Sequence, residues 1–338
     1  MDQTATAATI RLGRSGLHVS RLALGVMMFG GRTGSDEAAR ILDLARERGV
    51  NFIDTADAYN AGRSEEIVGQ LIARDRDDWI VATKLCNPMG PGPNRRGLSR
   101  RWIQLATEAS LRRLGTDVLD IQYLHREDPD TPLEETVRAL ADLIRAGKIR
   151  HFGVSNFRAW RLARLCALCD AEGIDRPVVA QVCYHLLNRS AEVELLPACA
   201  AHGIGVVAYS PLARGVLTGK YRPDTEPPEG SRAAVRDPRM LQTEFHPANL
   251  TAAERLASAL ADGRLADFAL AWVLANPLVH GVVAGPRTLA QWDGYFAGLT
   301  RPVTDAEAAA VDACVPPGTT AIPGFVDPVY PVEGRPRR

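Results

Sequence analysis

No uninterrupted apolar run in the chain approaches the ~18 residues that a membrane-spanning helix requires. Residues 1–16 lack the apolar stretch of a signal peptide, so a cytoplasmic location is expected. Net charge is also missing. The 40 Lys and Arg balance 40 Asp and Glu, and no overall field favours nucleic acid or an anionic membrane. Cysteine is sparse at six residues, without the spacing of a small disulfide-stapled domain. Cys166 and Cys169 form a CxxC, but no second CxxC or His pair offers the other ligands of a zinc site. Three apart in a helical pattern, they share one face as small buried residues, and no metal is expected. No linker, repeat or low-complexity tract divides the 338 residues, so one domain over 1–338 is expected.

What the sequence does contain is an alternation. Eight short apolar runs read as strands: 21–27, 50–56, 78–84, 119–125, 149–155, 177–183, 204–210 and 279–285. Most are continuously apolar, as parallel strands buried on both faces are. Helical patterns separate them, with candidate N-caps at Ser35, Ser99 and Ser190. Candidate stops are Gly49, Gly115, Gly147, Gly173 and Gly203. Strand then helix, eight times, predicts a (β/α)8 TIM barrel. A doubly wound dinucleotide fold would want GxGxxG after its first strand, where the chain instead has GVMMFGGRTGS. LGRSGL, residues 12–17, reads as part of an N-terminal hairpin capping the barrel bottom. Residues 212–264 are rich in Pro, Arg and Asp and predict a long loop with at most one short helix. After one helical region, 304–315, a Pro- and Gly-containing tail is expected to fold over the barrel mouth.

Active sites of such barrels lie at the C-terminal ends of the strands. There the predicted second strand ends at Asp54 and its loop carries Tyr59. The third ends at Lys84 and the fourth at His125. Taken singly, each has a plainer reading: a helix cap, a rim aromatic, a solvated charge, a core histidine. Taken together, four titratable groups at the mouths of consecutive strands point to a site. A phenol is a weak acid near neutrality unless a nearby cation favours its phenolate. Lys84 offers that cation, Asp54 a carboxylate to hold it, and His125 a hydrogen bond to a substrate oxygen or a share in proton relay.

The stretches NFIDTADAYNAGRSEEIVGQLI, VATK, SLRRLGTDVLDIQYLHRED, GKIRHFGVSNF, QVCYHLLNR and VVAYSPLARGVLTGKY resemble the aldo-keto reductase superfamily. They look nearest to its bacterial and potassium-channel-β-subunit-like branches, and the resemblance runs over most of the chain. It implies Asp54, Tyr59, Lys84 and His125 as a catalytic tetrad, and NADPH extended across the barrel mouth. Ser155, Asn156 and Gln181 match residues that hold the nicotinamide carboxamide, and Tyr209 the aromatic against its ring. Ser210, Leu212, Gly215 and Leu217 match the pyrophosphate loop, with Lys220 a nearby counter-charge. Arg287 and Gln291 match the 2′-phosphate and adenine positions, and the planar guanidinium favours NADPH over NADH.

The chain departs from that pattern at Gly294 and Tyr295, where many relatives carry Glu-Asn, and at Tyr184-His185, where relatives often have Tyr-Asn. His185 is expected to be a packed loop histidine. Met27, Met28, Phe29, Pro88, Met89, Phe325 and Tyr330 are the candidate lining of an apolar substrate pocket. The implied partner is a small-molecule carbonyl compound, an aldehyde or a ketone, reduced by a monomer or homo-oligomer. Two rival readings stay open: an NADPH-binding regulatory subunit or sensor, and a Schiff-base aldolase using Lys84 as nucleophile.

Overall fold

The computed structural model describes residues 6–332. Strands β1 (Thr9–Arg11) and β2 (His18–Ser20) pair as an antiparallel hairpin. Its turn reaches Gly13, at φ +55°, where an added Cβ would lie 2.4 Å from the Gly205 nitrogen. Only glycine allows that approach. Leu12 and Val19 of this hairpin are buried with Phe52, Ile121, Val179 and Val207 in one cluster, so the hairpin plugs the bottom of the barrel.

The barrel itself is closed and parallel. Its strands are β3 (Leu22–Gly25), β4 (Phe52–Asp54), β5 (Ile80–Leu85), β6 (Leu119–Leu124), β7 (Ile149–Ser155), β8 (Val179–Cys183), β9 (Gly205–Tyr209) and β10 (Gly281–Ala284). β10 pairs with both β9 and β3, which closes the ring. The strands are buried nearly throughout, as their continuous apolar character requires.

Helices α1 (Ser35–Glu47), α2 (Arg63–Ile72), α3 (Arg100–Leu114), α4 (Leu133–Arg145), α5 (Ala159–Glu172) and α6 (Leu195–His202) follow successive strands. Ser99 caps α3 by accepting from the Trp102 N–H at 3.3 Å. The other two expected caps differ. Gly34 occupies the cap of α1, and Ser190 opens a short 3-10 turn ahead of α6. Gly115, Gly173 and Gly203 end their helices in the left-handed conformation. Cys166 and Cys169 are buried on α5 as free thiols.

Residues 212–264 hold more structure than their composition foretells. A 3-10 segment Ala213–Thr218 precedes α7 (Pro238–Gln242) and the 13-residue α8 (Pro247–Ala259). Pro247 stands at the first turn, His246 caps it, and Leu250, Ala253 and Leu256 bury one face. Then come α9 (Leu265–Ala275), α10 (Leu289–Thr300) and α11 (Asp305–Cys314), the last opened by a Thr304–Glu307 capping box. Beyond it the chain returns to the barrel mouth, where Arg189 N donates to Thr319 O and Ala321 N to Leu187 O. Among the described residues no helix is long and apolar enough to cross a membrane.

Candidate active site

The ends of β4, β5 and β6 bring three of the four predicted groups to one place. Lys84 is wholly buried, and its ammonium lies 2.5 Å from Asp54 Oδ1, 2.8 Å from the Thr55 carbonyl and 3.2 Å from the Tyr59 hydroxyl. His125 follows β6, and its ring meets Tyr59 edge-on with centroids 6.0 Å apart. Tyr59 is delivered by a constrained turn in which Asn60 and Ala61 both have positive φ, 49° and 56°. The Asn60 amide secures that turn by donating to the Met27 and Phe29 carbonyls at 2.9 and 2.7 Å. Non-glycine residues persist in this conformation only when their surroundings enforce it.

Burial decides the electrostatics. It would strip Lys84 of its proton, but Asp54 and Tyr59 outweigh it and hold the ammonium above its ordinary pKa. Burial pushes the Tyr59 phenol up, and Lys84 only partly offsets this. The lowered phenol pKa expected from sequence is therefore not met in the protein alone. His125 is pushed down to about 3 by burial, with Lys84 and Arg126 adding to it. Its ring is neutral near pH 7. The Asn87 amide lies 3.1 Å from Nδ1, and because an amide N–H only donates, the ring proton belongs on Nε2. A neutral imidazole in this state is a hydrogen-bond donor rather than an acid.

Asp57 places a second buried carboxyl two residues before Tyr59. Its backbone N–H donates to the Lys84 carbonyl at 3.0 Å, while neither carboxylate oxygen has a hydrogen-bond partner within 3.5 Å among the described residues. Burial and the nearby Glu65 raise it to about 8, opposed by Arg113. Glu65 accepts from the Thr83 hydroxyl and pairs with Arg113 at 2.6 Å.

A cavity of about 690 Å³ opens above the tetrad. Asp54, Tyr59 and His125 line it, with Ser155, Asn156, Gln181, Tyr209, Ser210, Leu212, Gly215, Lys220, Arg287 and Gln291. Tyr209 donates to Asn156 Oδ1 at 2.8 Å, and the Asn156 amide donates to the His125 carbonyl at 2.9 Å. Gln181 Nε2 donates to Asp54 Oδ2 at 2.7 Å. Leu217 is the exception: it is buried beneath this loop, outside the lining. Gly294 and Tyr295 also face the cavity, whereas His185 is buried outside it.

The apolar lining expected for the substrate is only partly present. Met27, Met28 and Tyr330 border the cavity. Phe29 turns into the core, Met89 packs against it, Pro88 is exposed, and Phe325 borders a separate small hollow. Tyr330 is brought over the mouth by two arginines. Arg239 grips Asp327 with both terminal nitrogens, and Arg158 donates to the Pro331 carbonyl at 2.8 Å.

Several cavity residues escaped sequence reading, among them four arginines. Arg32, Arg214, Arg232 and Arg239 all line the cavity. Arg32 and Arg287 donate to the same Gly230 carbonyl, at 2.7 and 2.9 Å, and so strap the 212–237 segment across the groove. Burial lowers the Arg232 pKa, and its nearest carboxylate, Asp237, stands 3.8 Å away. The cavity thus has a strongly basic end beside Arg32, Arg232 and Arg287, and an acid-bearing end at Tyr59. A phosphorylated ligand long enough to reach both fits that polarity.

The Aldo/keto reductase family model matches residues 21–316. The chain is 40% identical to an uncharacterized oxidoreductase, YrpG, of Bacillus subtilis (strain 168), over 83% of this chain and 87% of that protein. It is also 40% identical to a probable voltage-gated potassium channel subunit beta of Arabidopsis thaliana, covering 81% and 85% of the two chains. A putative subunit of the same kind from Schizosaccharomyces pombe (strain 972 / ATCC 24843) is 36% identical, with 81% and 83% covered.

Proposed function

Since the chain belongs to the aldo/keto reductase family, we propose that it reduces an aldehyde or ketone to the alcohol with NADPH, Tyr59 acting as general acid. The carrying observation is the Tyr59 hydroxyl 3.2 Å from the Lys84 ammonium, which Asp54 holds at 2.5 Å. As negative charge grows on the substrate oxygen, the phenol gives up its proton, and the ammonium stabilises the phenolate left behind. The phenol is a poor acid until that moment, which keeps the proton in place between turnovers. His125, neutral with its proton on Nε2, donates a hydrogen bond to the same oxygen.

The cofactor, when bound, supplies the hydride. This chain's residues suit it: amides at Asn156 and Gln181 for a carboxamide, the Tyr209 ring beside them, and Arg232 and Arg287 for a phosphate dianion. The partly buried Arg232, held only by a long 3.8 Å ion pair to Asp237, supports NADPH over NADH. A purely regulatory role would give the Lys84 contacts to Asp54 and Tyr59 no chemical task, which favours the reductase reading. A Schiff-base mechanism needs a neutral lysine, and Asp54 opposes that.

The test is NADPH consumption, followed by absorbance, with a panel of reactive aldehydes and ketones. Turnover lost in Lys84→Met supports the proposal. No turnover with any of them, or a borohydride-trapped adduct on Lys84, would replace it with the regulatory or the aldolase reading.

A further inference from the structure

Outside the tetrad, one group of ligand-type side chains among the described residues converges: Cys183, His185 and Glu244, whose ligand atoms all lie within 4.8 Å of one another. We propose that they form a binding site for a zinc-class divalent cation at the rim of the barrel. The proposal does not depend on the reductase reading.

A thiolate, an imidazole and a carboxylate make a borderline-soft donor set of the kind zinc takes when three protein ligands leave a fourth position open. With bonds of about 2.0–2.3 Å, tetrahedral ligand atoms stand roughly 3.3–3.8 Å apart, so a closure of about 1 Å completes the site. Side-chain rotation covers that distance. Cys183 ends β8, and His185 lies two residues beyond it. His185 is buried, yet its Nε2 has no hydrogen-bond partner, while Nδ1 accepts only a long contact from the Leu187 N–H at 3.3 Å. Orphaned buried ring nitrogens are rare and call for an explanation. Metal binding at Nε2 shifts the ring proton to Nδ1 and gives up the Leu187 contact. The Cys183 thiol releases its proton to solvent, and the two resulting anions balance the charge of the cation.

Glu244 is already placed for its part. The Arg214 Nε and the Thr243 hydroxyl both contact Oε2, and no hydrogen bond reaches Oε1 among the described residues. Arg214 therefore stays on the outer oxygen as an orienting partner. Its positive charge opposes the cation, so affinity falls below that of an all-cysteine structural site. Because Cys183 is paired in register with Tyr209, and Arg214 lines the cofactor cavity, occupancy is expected to slow turnover as well.

The purified full-length protein is titrated with zinc against a chromophoric chelator, and separately with cobalt(II). One equivalent of zinc should bind, and cobalt should give a thiolate charge-transfer absorption. Loss of an outer-shell partner typically weakens metal binding about 10–100-fold, so Cys183→Ser or His185→Gln should weaken it at least as much. Cys183→Ser should also remove the cobalt band, and Cys314→Ser should change neither readout. Apo melting curves check that the variants fold. Should Cys183→Ser fail to fold, His185→Gln carries the test. Absence of stoichiometric binding, or binding unchanged in the folded variants, overturns the proposal.

Discussion

Gln181 and Asp54 face each other across the barrel, the amide of one donating to Oδ2 of the other at 2.7 Å. The second oxygen of that carboxylate takes the Lys84 ammonium, so on the proposed reading the residue suited to a cofactor amide also steadies the proton-transfer group. Gln181→Leu should therefore damage both functions. It leaves a buried carboxylate oxygen short of a donor, at a cost of about 1–3 kcal/mol. The expected result is a higher NADPH dissociation constant by fluorescence titration together with a lower kcat. A loss confined to the dissociation constant would separate the two roles.

Tyr59→Phe removes the proposed acid and leaves the cavity's shape. We expect kcat/KM for a test aldehyde to fall by about 10²–10⁴, with NADPH binding close to wild type. The pH profile offers a second reading of the same centre. His125 titrates at about 3 and the Tyr59 phenol lies above its usual range, so reduction should show no inflection between about pH 5 and 8. A break near pH 6.5 that vanishes in His125→Gln would mean that the imidazole is the acid.

Asp57 makes the fold itself pH-sensitive. Its carboxyl is raised from 3.8 to about 8, so the folded chain holds a proton that the unfolded chain releases. Stability is then lost as pH rises from about 4 to 8, and the cost at pH 8 is on the order of several kcal/mol. Asp57→Asn should raise Tm at pH 8 and change it little at pH 4. Equal shifts at both values would show that the carboxyl is not titrating in this window.

On the proposed reading Arg287 and Arg232 set the cofactor preference. Either one changed to Ala should raise KM for NADPH about 10–100-fold, the worth of a charge-assisted hydrogen bond to phosphate. KM for NADH should move far less. Parallel losses for both cofactors would place these arginines on the pyrophosphate instead.

The barrel was legible because each strand is apolar along its whole length and each intervening helix repeats every three to four residues. Asp54, Tyr59, Lys84 and His125 were legible because they sit where strands end. Arg32 and Arg232 were not. A charge in a Gly-rich turn or a Pro-rich segment reads as ordinary surface charge, and only the folded chain brings Arg32, Arg232 and Arg287 to one cavity. α8 was hidden by its composition, since Ala and Asn dilute the apolar stripe that Leu250, Ala253 and Leu256 bury. The direction of the Tyr59 shift was equally out of reach. Lys84 supplies the expected attraction, but the depth of burial that exceeds it exists only once the chain is folded.

The segment carrying Asp327 and Tyr330 has no helix or strand of its own, and two guanidinium groups, one following β7 and one in the segment after β9, hold it down. A wall fixed by charge rather than by interlocking apolar surfaces can step aside without unfolding anything. Salt screens the Arg239–Asp327 pair, so this wall is expected to loosen as ionic strength rises.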